Sequence, residues 1–443
     1  MTAIKTPETT ELEITQDYRN VINAIEREDP FIFVSGKAGT GKTTLIGYLR
    51  ENISGNVVVL APTGVAALQV KGVTIHSFFR FPPRLIFPEE DIKSVRDKRI
   101  YQDINLLIID EISMVRADII DAIDLFLREN GPKRGKPFGG IQVVFVGDLF
   151  QLPPVISSSD MVILSERGYD GPYFFCAMAL HRKEVTMVEL QKIFRQKDGE
   201  FTGILNRIRI NEDVEDALLE LNSQCYGIET DPDPLTITLT TTNARADMIN
   251  NNELKSLSEI PKTFAGKLEG KFNVDERNLP SPMNLILKVG SKVMFTANDN
   301  VFPKKWVNGT IGVVKELLDG KVKVQIQNGP YINTVEVSAF QWESYKYEVD
   351  MMAGKIKPTV IGSYEQIPLM LAWAVTIHKS QGKTLDKVKI DLSSGAFASG
   401  QVYVALSRCR SIQGIRLQRP IAMKDVRCDP EIKRFYMTCL SGT

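Results

Sequence analysis

Gly36-Lys37-Ala38-Gly39-Thr40-Gly41-Lys42-Thr43 follows the apolar run Phe31-Ile32-Phe33-Val34 and precedes Leu45-Ile46-Gly47-Tyr48-Leu49-Arg50, which continues with helical spacing. The segment fits G-x-x-x-x-G-K-[ST] in the strand, loop, helix context that the pattern requires. A loop that wraps phosphates with its backbone N–H groups needs positive φ and has no room for a Cβ, and glycine satisfies both demands. The helix behind it adds the partial positive charge of its N-terminus. The expected nucleotide-binding residues are Gly36, Ala38, Gly39, Thr40, Gly41, Lys42, Thr43 and Thr44. Lys42 should reach the β and γ phosphates of ATP, and the Thr43 hydroxyl should join the Mg2+ shell.

Such a site needs an acidic residue after a buried strand, because Mg2+ prefers carboxylate and water oxygens. Leu106-Leu107-Ile108-Ile109-Asp110-Glu111 supplies it, and the unbroken aliphatic run suits a central parallel strand covered on both faces. Asp110 is the expected metal ligand, and Glu111 the group that orients and deprotonates the attacking water. A third strand, Val143 to Val146, leads into Gly147-Asp148-Leu149-Phe150-Gln151-Leu152-Pro153-Pro154-Val155. Strand ends line the ligand crevice of a doubly wound sheet, which places Gln151 to sense the γ-phosphate. A polar loop residue without that role is the other reading of Gln151.

The remaining composition sets bounds. A chain of 443 residues is too long for one ordinary core, so two to four domains are expected. Lys plus Arg and Asp plus Glu both number 54, which argues against coating nucleic acid through bulk charge and leaves a local basic groove open. The polar, acid-bearing start and the shortness of every apolar stretch predict no signal, transit or membrane-spanning segment, hence a cytoplasmic protein without a membrane partner. The five cysteines form no C-x-x-C pair and read as isolated reduced thiols.

Asp110-Glu111-Ile112-Ser113, residues 147–155, Val375-Thr376-Ile377-His378-Lys379-Ser380-Gln381-Gly382 and residues 402–411 (VYVALSRCRS) follow the phosphate loop in the order and spacing of superfamily-one helicases. The stretch from Asp118 to Gln142 resembles the signature segment of PIF (petite integration frequency) type 5′-to-3′ DNA helicases. The resemblance runs from about residue 11 to about residue 418. It implies an ATP-dependent motor that moves 5′ to 3′ on single-stranded DNA and unwinds duplex or structured DNA. By position, Gln16 matches the adenine-recognising glutamine, Arg195 an arginine touching the γ-phosphate, and Arg408 an arginine finger supplied in cis. A guanidinium neutralises the charge spread over the phosphoryl oxygens and is worth roughly 10³–10⁵ in rate. Gln381 and Gly382 would face the same ATP.

The fold class expected is α/β: two tandem RecA-like cores with parallel sheets, a small inserted subdomain and a small inserted β-barrel. Residues 1–190 form the first core with a wedge at 77–103, residues 191–289 and 366–443 the second, and residues 290–365 the barrel. The barrel strands are read at 292–295, 309–317, 321–327 and 331–337, with hairpin turns at Asp319-Gly320 and Asn328-Gly329. A monomer is expected in solution, with association on DNA left open.

Two of three histidines share a tripeptide, Thr74-Ile75-His76 and Thr376-Ile377-His378, one in each proposed core. The family uses both segments to grip the phosphates and sugars of single-stranded DNA, and short hydroxyls, imidazole and backbone amides suit that role. The implied DNA-binding residues are Pro62, Thr63, Gly64, Val65, His76, Ser77 and Val155 in the first core. Thr241, Thr242, Asn243, Thr376, His378, Lys379 and Ser380 serve in the second, and Asn308 in the barrel. Phe79 and Arg80, inside Phe78-Phe79-Arg80-Phe81-Pro82-Pro83-Arg84, read either as a stacking platform worth ~1–3 kcal/mol per base or as a small aromatic core. Trp306 likewise reads as a DNA contact or as barrel core. A DNA-stimulated ATPase switch and a RecD-like nuclease-associated motor subunit remain alternative functions. Gly382-Lys383-Thr384 repeats Gly41-Lys42-Thr43, but Ile377 stands where a phosphate loop needs its first glycine, so only one ATP site is expected.

Overall fold

The computed structural model describes residues 14–181, 183–194, 199–228, 234–301, 304–328, 331–350 and 355–441. The first sheet takes six strands: β1 (Phe31–Gly36), β2 (Val57–Ala61), β3 (Val73–Thr74), β4 (Leu106–Ile109), β5 (Gln142–Gly147) and β6 (Thr186–Leu190). All pairs are parallel, in the order β3-β2-β4-β5-β1-β6. β1, β2 and β4 are buried along their whole length, as continuous aliphatic runs covered on both faces should be. One face packs on the helix Ala117–Asn130 through Ile119, Ile120, Ile123 and Phe126. The other packs on helices Gln16–Glu26 and Lys42–Asn52 through Val21, Leu45 and Leu49.

A second parallel sheet has the order Ala374–Thr376, Ile237–Thr240, Val388–Asp391, Ile415–Leu417. Helices Gly199–Ile210, Val214–Cys225 and Gln401–Leu406 share its core. Both α/β units anticipated from the sequence are present, and no helix among the described residues is long and apolar enough to cross a membrane. All five cysteines are free.

Three boundaries differ from the expectation. Strands Lys262–Ala265 and Asn284–Leu287, expected in the second core, pair with each other and bury Phe264, Leu285 and Leu287 against Val293, Phe295 and Val314 of the inserted region. The insertion therefore begins well before residue 290. Its main sheet is antiparallel, with Tyr331–Ser338 and Leu369–Leu371 as its two edges. It encloses a common core with the two-stranded sheet, and among the described residues no strand pairing closes it into the expected barrel. Trp306 packs on Phe295 at 4.9 Å within that core, the second of its two readings.

The hairpin Phe340–Asp350 and Lys355–Gln366 is a separate ribbon, joined by Lys267–Gly270, that docks on the first core. Tyr347 anchors it by accepting a hydrogen bond from Val59 N at 2.9 Å. The helix Pro430–Ser441, expected with the second core, returns to the first. Ile432, Phe435 and Tyr436 lie on one helical face, and Phe435 stacks on Phe175 with ring centroids 4.3 Å apart.

Candidate functional site

β1 ends at Gly36, and the chain turns through Gly39 (φ 85°) and Gly41 (φ 84°) before the helix Lys42–Asn52. A Cβ on Gly36 would lie 2.5 Å from Thr40 Oγ1, so the loop closes only around glycine. Lys42 Nζ donates to the carbonyls of Gly36 at 2.6 Å and Lys37 at 3.2 Å. Burial lowers the Lys42 ammonium, an effect that a bound polyphosphate would oppose. Thr43 and Thr44 are exposed on the first helical turn. Tyr18 OH donates to Gly41 O at 2.8 Å, and Phe194 N donates to Gly39 O at 2.9 Å. Gln16 is exposed on the same helix as Tyr18 and donates to Asn20 Oδ1 at 3.0 Å. Tyr18 and Phe194, which steady the loop from outside, carry no motif that marks them in the sequence. Arg195 lies outside the described residues.

Asp110 and Glu111 sit where β4 opens toward this loop. Glu111 adopts φ 48°, a left-handed conformation that a non-glycine residue holds only when its surroundings impose it. Burial, then the neighbouring Glu111 charge, push the Asp110 carboxyl up to about 7. Burial also raises Glu111, against the pull of Lys42 and Arg408. Gln381, from the second core, donates to Glu111 Oε2 at 3.2 Å and to Gln151 Oε1 at 3.3 Å. Arg408 is buried, its Nε on Val404 O at 2.9 Å and its Nη2 on Ser407 Oγ at 2.8 Å, close enough for its charge to act on Glu111. Lys42, Glu111, Gln151, Gln381 and Arg408 thus converge from both cores. Gly382 adopts φ 77°, and a Cβ there would lie 3.5 Å from Gln69 Oε1 of the first core.

Asp148 is the hub that sequence reasoning missed. Arg209, on the helix Gly199–Ile210, donates to Asp148 Oδ1 at 3.0 and 3.1 Å, both side chains being almost wholly buried. Tyr403 OH donates to Asp148 Oδ2 at 3.2 Å and accepts from Ala38 N at 3.3 Å, while Gln151 donates to the same carboxylate at 3.3 Å. Burial pushes Asp148 up, but the Arg209 and Lys42 charges and these hydrogen bonds leave it below its ordinary value. The Arg209 guanidinium also lies over the Phe150 ring at 4.5 Å. The only sequence signal was an arginine beside Ile208 and Ile210 on a helix whose other face is apolar.

The repeated tripeptides fold alike. Thr74 Oγ1 accepts from Ser77 N, and Thr376 Oγ1 from Lys379 N, each at 3.3 Å. Thr63 and Thr242 each cap a helix after a strand, accepting from Ala66 N at 3.2 Å and Arg245 N at 3.4 Å. His76 and His378 are half-buried, and burial lowers both imidazoles. Val65, Ser77, Arg80, Val155, Asn243 and Lys379 are exposed, and Pro62, Gly64 and Asn308 partly so.

Four expected contacts are turned inward. Thr241, Thr376 and Ser380 are buried, Ser380 Oγ donating to Ile377 O at 2.7 Å. Phe79 is buried among Phe78, Phe81, Tyr101 and Phe126, so the aromatic-core reading replaces the stacking platform. Asn273 and Val274 lie against the expected first grip: Asn273 Nδ2 donates to Ser77 Oγ at 3.2 Å, and a Cβ on Gly64 would lie 2.6 Å from Val274 Cγ2.

The oxygen donors Thr43 and Asp110 suit Mg2+, which takes few protein ligands and completes its shell with phosphate and water. Among the described residues, no group of three or more His, Cys, Asp or Glu side chains gathers to hold an ion alone. A family model described as PIF1-like helicase matches residues 12–209. The ATP-dependent DNA helicase PIF1 of Homo sapiens is 33% identical over 98% of this chain, which covers 65% of that relative. The chain thus spans slightly less than two thirds of the human protein's length. The ATP-dependent DNA helicase Pif1 of Bdellovibrio bacteriovorus is 31% identical, with 96% of this chain and 92% of the relative covered. Pif1 from Bacteroides sp in complex with ADP-AlF4 superposes with a TM-score of 0.88 at 38% identity over 98% of each chain. The same Bacteroides protein bound to ssDNA superposes at 0.69, with 38% identity over 98% of each chain.

Proposed function

The chain belongs to the PIF1-like helicase family, and from that premise we propose that it is an ATP-driven motor that moves 5′ to 3′ on single-stranded DNA and unwinds duplex or structured DNA. The observation that carries the reading is Gln381 of the second core bridging Glu111 and Gln151 of the first. Chemistry assembled from two cores depends on their closure and can therefore drive their relative movement. Lys42 and the loop N–H groups hold the polyphosphate of ATP. Glu111 orients and deprotonates the attacking water, Gln151 and Gln381 report the terminal phosphate, and Arg408 with Arg195 neutralises the charge that develops on it. Thr43 and Asp110 would hold Mg2+, which would supply neutralising charge to the phosphates.

Single-stranded DNA runs over the two helix N-termini capped by Thr63 and Thr242 and past the two His-bearing turns. For this, Asn273 and Val274 must leave Gly64 and Ser77. The lower TM-score of the DNA-bound Bacteroides structure supports a different overall arrangement on DNA. The deciding experiment compares duplexes carrying a 5′ or a 3′ single-stranded tail. Unwinding of the 5′-tailed substrate alone is expected. Unwinding of the 3′-tailed substrate alone reverses the direction, and ATP hydrolysis without unwinding of either makes the chain a switch.

A further inference from the structure

Lys383 has no role in that scheme, although it lies in the turn that follows His378, Lys379 and Ser380. Its Nζ donates to Asn308 Oδ1 at 2.7 Å, a neutral amide oxygen. Asn308 belongs to the loop between strands Lys292–Phe295 and Ile311–Leu318 of the inserted region, where its N–H donates to Asn298 Oδ1 at 2.9 Å. Gly309, at φ 96°, packs so closely that a Cβ there would lie 3.3 Å from Lys383 Cβ. Lys383 is thus one of the points, alongside Met294, Ile311 and Met370, at which the inserted sheet touches the second core.

A partly buried lysine ordinarily rests on a carboxylate. Burial alone lowers this ammonium, to about 8, and no carboxylate acts on it among the described residues. An ammonium has three donors and Asn308 takes one, which leaves capacity for strong acceptor oxygens. Lys304 and Lys305 on the same loop and Lys379 on the facing turn are exposed, and none forms an ion pair with a described residue. The missing partner of the Lys383 ammonium is an anion, and a phosphodiester supplies one.

We propose that Lys383 binds a backbone phosphate of single-stranded DNA, held ready by Asn308, at a contact shared between the second core and the inserted sheet. The inference rests on the DNA-binding reading above and adds a charged residue to it. Phosphate capture favours the charged ammonium, so near pH 8 binding takes up a proton.

The test is equilibrium binding of the full chain to labelled oligothymidylate across a salt series, with calorimetry at pH 8 in two buffers of different ionisation heat. Lys383→Met should reduce the slope of log K against log salt by about 0.7, the contribution of one single-strand phosphate contact. It should also remove the proton uptake shown by the native chain. Lys383→Arg should keep the slope and lose the uptake, because guanidinium stays charged. A Met variant with the native slope and native proton uptake overturns the inference and leaves DNA binding standing. If that variant does not fold, native proton uptake by the Arg variant overturns it equally. Failure of the native chain to bind oligothymidylate overturns both readings.

Discussion

Gly-Lys-Thr occurs twice, and the two copies share little beyond spelling. Gly41 and Gly382 both take left-handed φ, 84° and 77°. The first copy then starts an eleven-residue helix, and its lysine folds back on the carbonyls of its own loop. The second continues as a turn, and its lysine reaches an amide of another unit. A phosphate cradle is a property of the loop before the triplet and the helix after it. The triplet alone fixes only a turn and a cation.

Lys42→Ala is the strongest way to test that difference. It should abolish ATP hydrolysis and unwinding while single-stranded DNA binding survives, and a variant that still unwinds with ATP would break the assignment of the first copy. Next in size is Glu111→Gln, expected to slow hydrolysis by roughly 10²–10⁴. Burial holds the Glu111 carboxyl above its ordinary value, and a base must be ionised, so the native rate should rise with pH through that raised value. The Gln variant should lack this rise; a pH–rate profile of unchanged shape would remove Glu111 from the base role.

Breaking the clasp between the cores comes third. Arg209→Met leaves Asp148 buried without its main counter-charge, a loss of about 3–5 kcal/mol readable as a lower denaturation midpoint. Asp148 lies below its ordinary value when folded. Its contribution is therefore whole above the unfolded value of 3.8 and is lost as pH falls through the folded one. The Met variant should lose that acid-side dependence, and an unchanged midpoint and acid limb would show that the pair does not hold the cores. The smallest effect tests the repeat: Thr74→Val and Thr376→Val should each cost about 0.5–1.5 kcal/mol, since each removes one hydrogen bond of 3.3 Å. Unequal costs would mean that the two turns are alike in geometry but not in energy.

Local order was legible in the sequence. Glycine spacing located the phosphate loop, aliphatic runs located β1, β4 and β5, and Asp319-Gly320 marked a real hairpin between Ile311–Leu318 and Lys321–Asn328. Partner choice over long separation was not legible. The spacing of Ile432, Phe435 and Tyr436 says that a helix buries one face but not that Phe175 covers it. Arg209 reads as one charge among 54 basic residues until the fold brings it to Asp148. The aromatic run at 78–81 looked the same on paper whether it faced bases or Phe126, because ring chemistry serves both.

The return of Pro430–Ser441 to the first core bears on how this protein is made. Phe33, Phe174 and Phe175 are synthesised long before Phe435, which packs on all three. At ~5–20 residues per second the intervening chain takes on the order of 10 to 50 s to appear on a ribosome. During that interval the ATP-binding half exposes an aromatic face to the cell, and completing that half depends on nearly all of the second half having emerged.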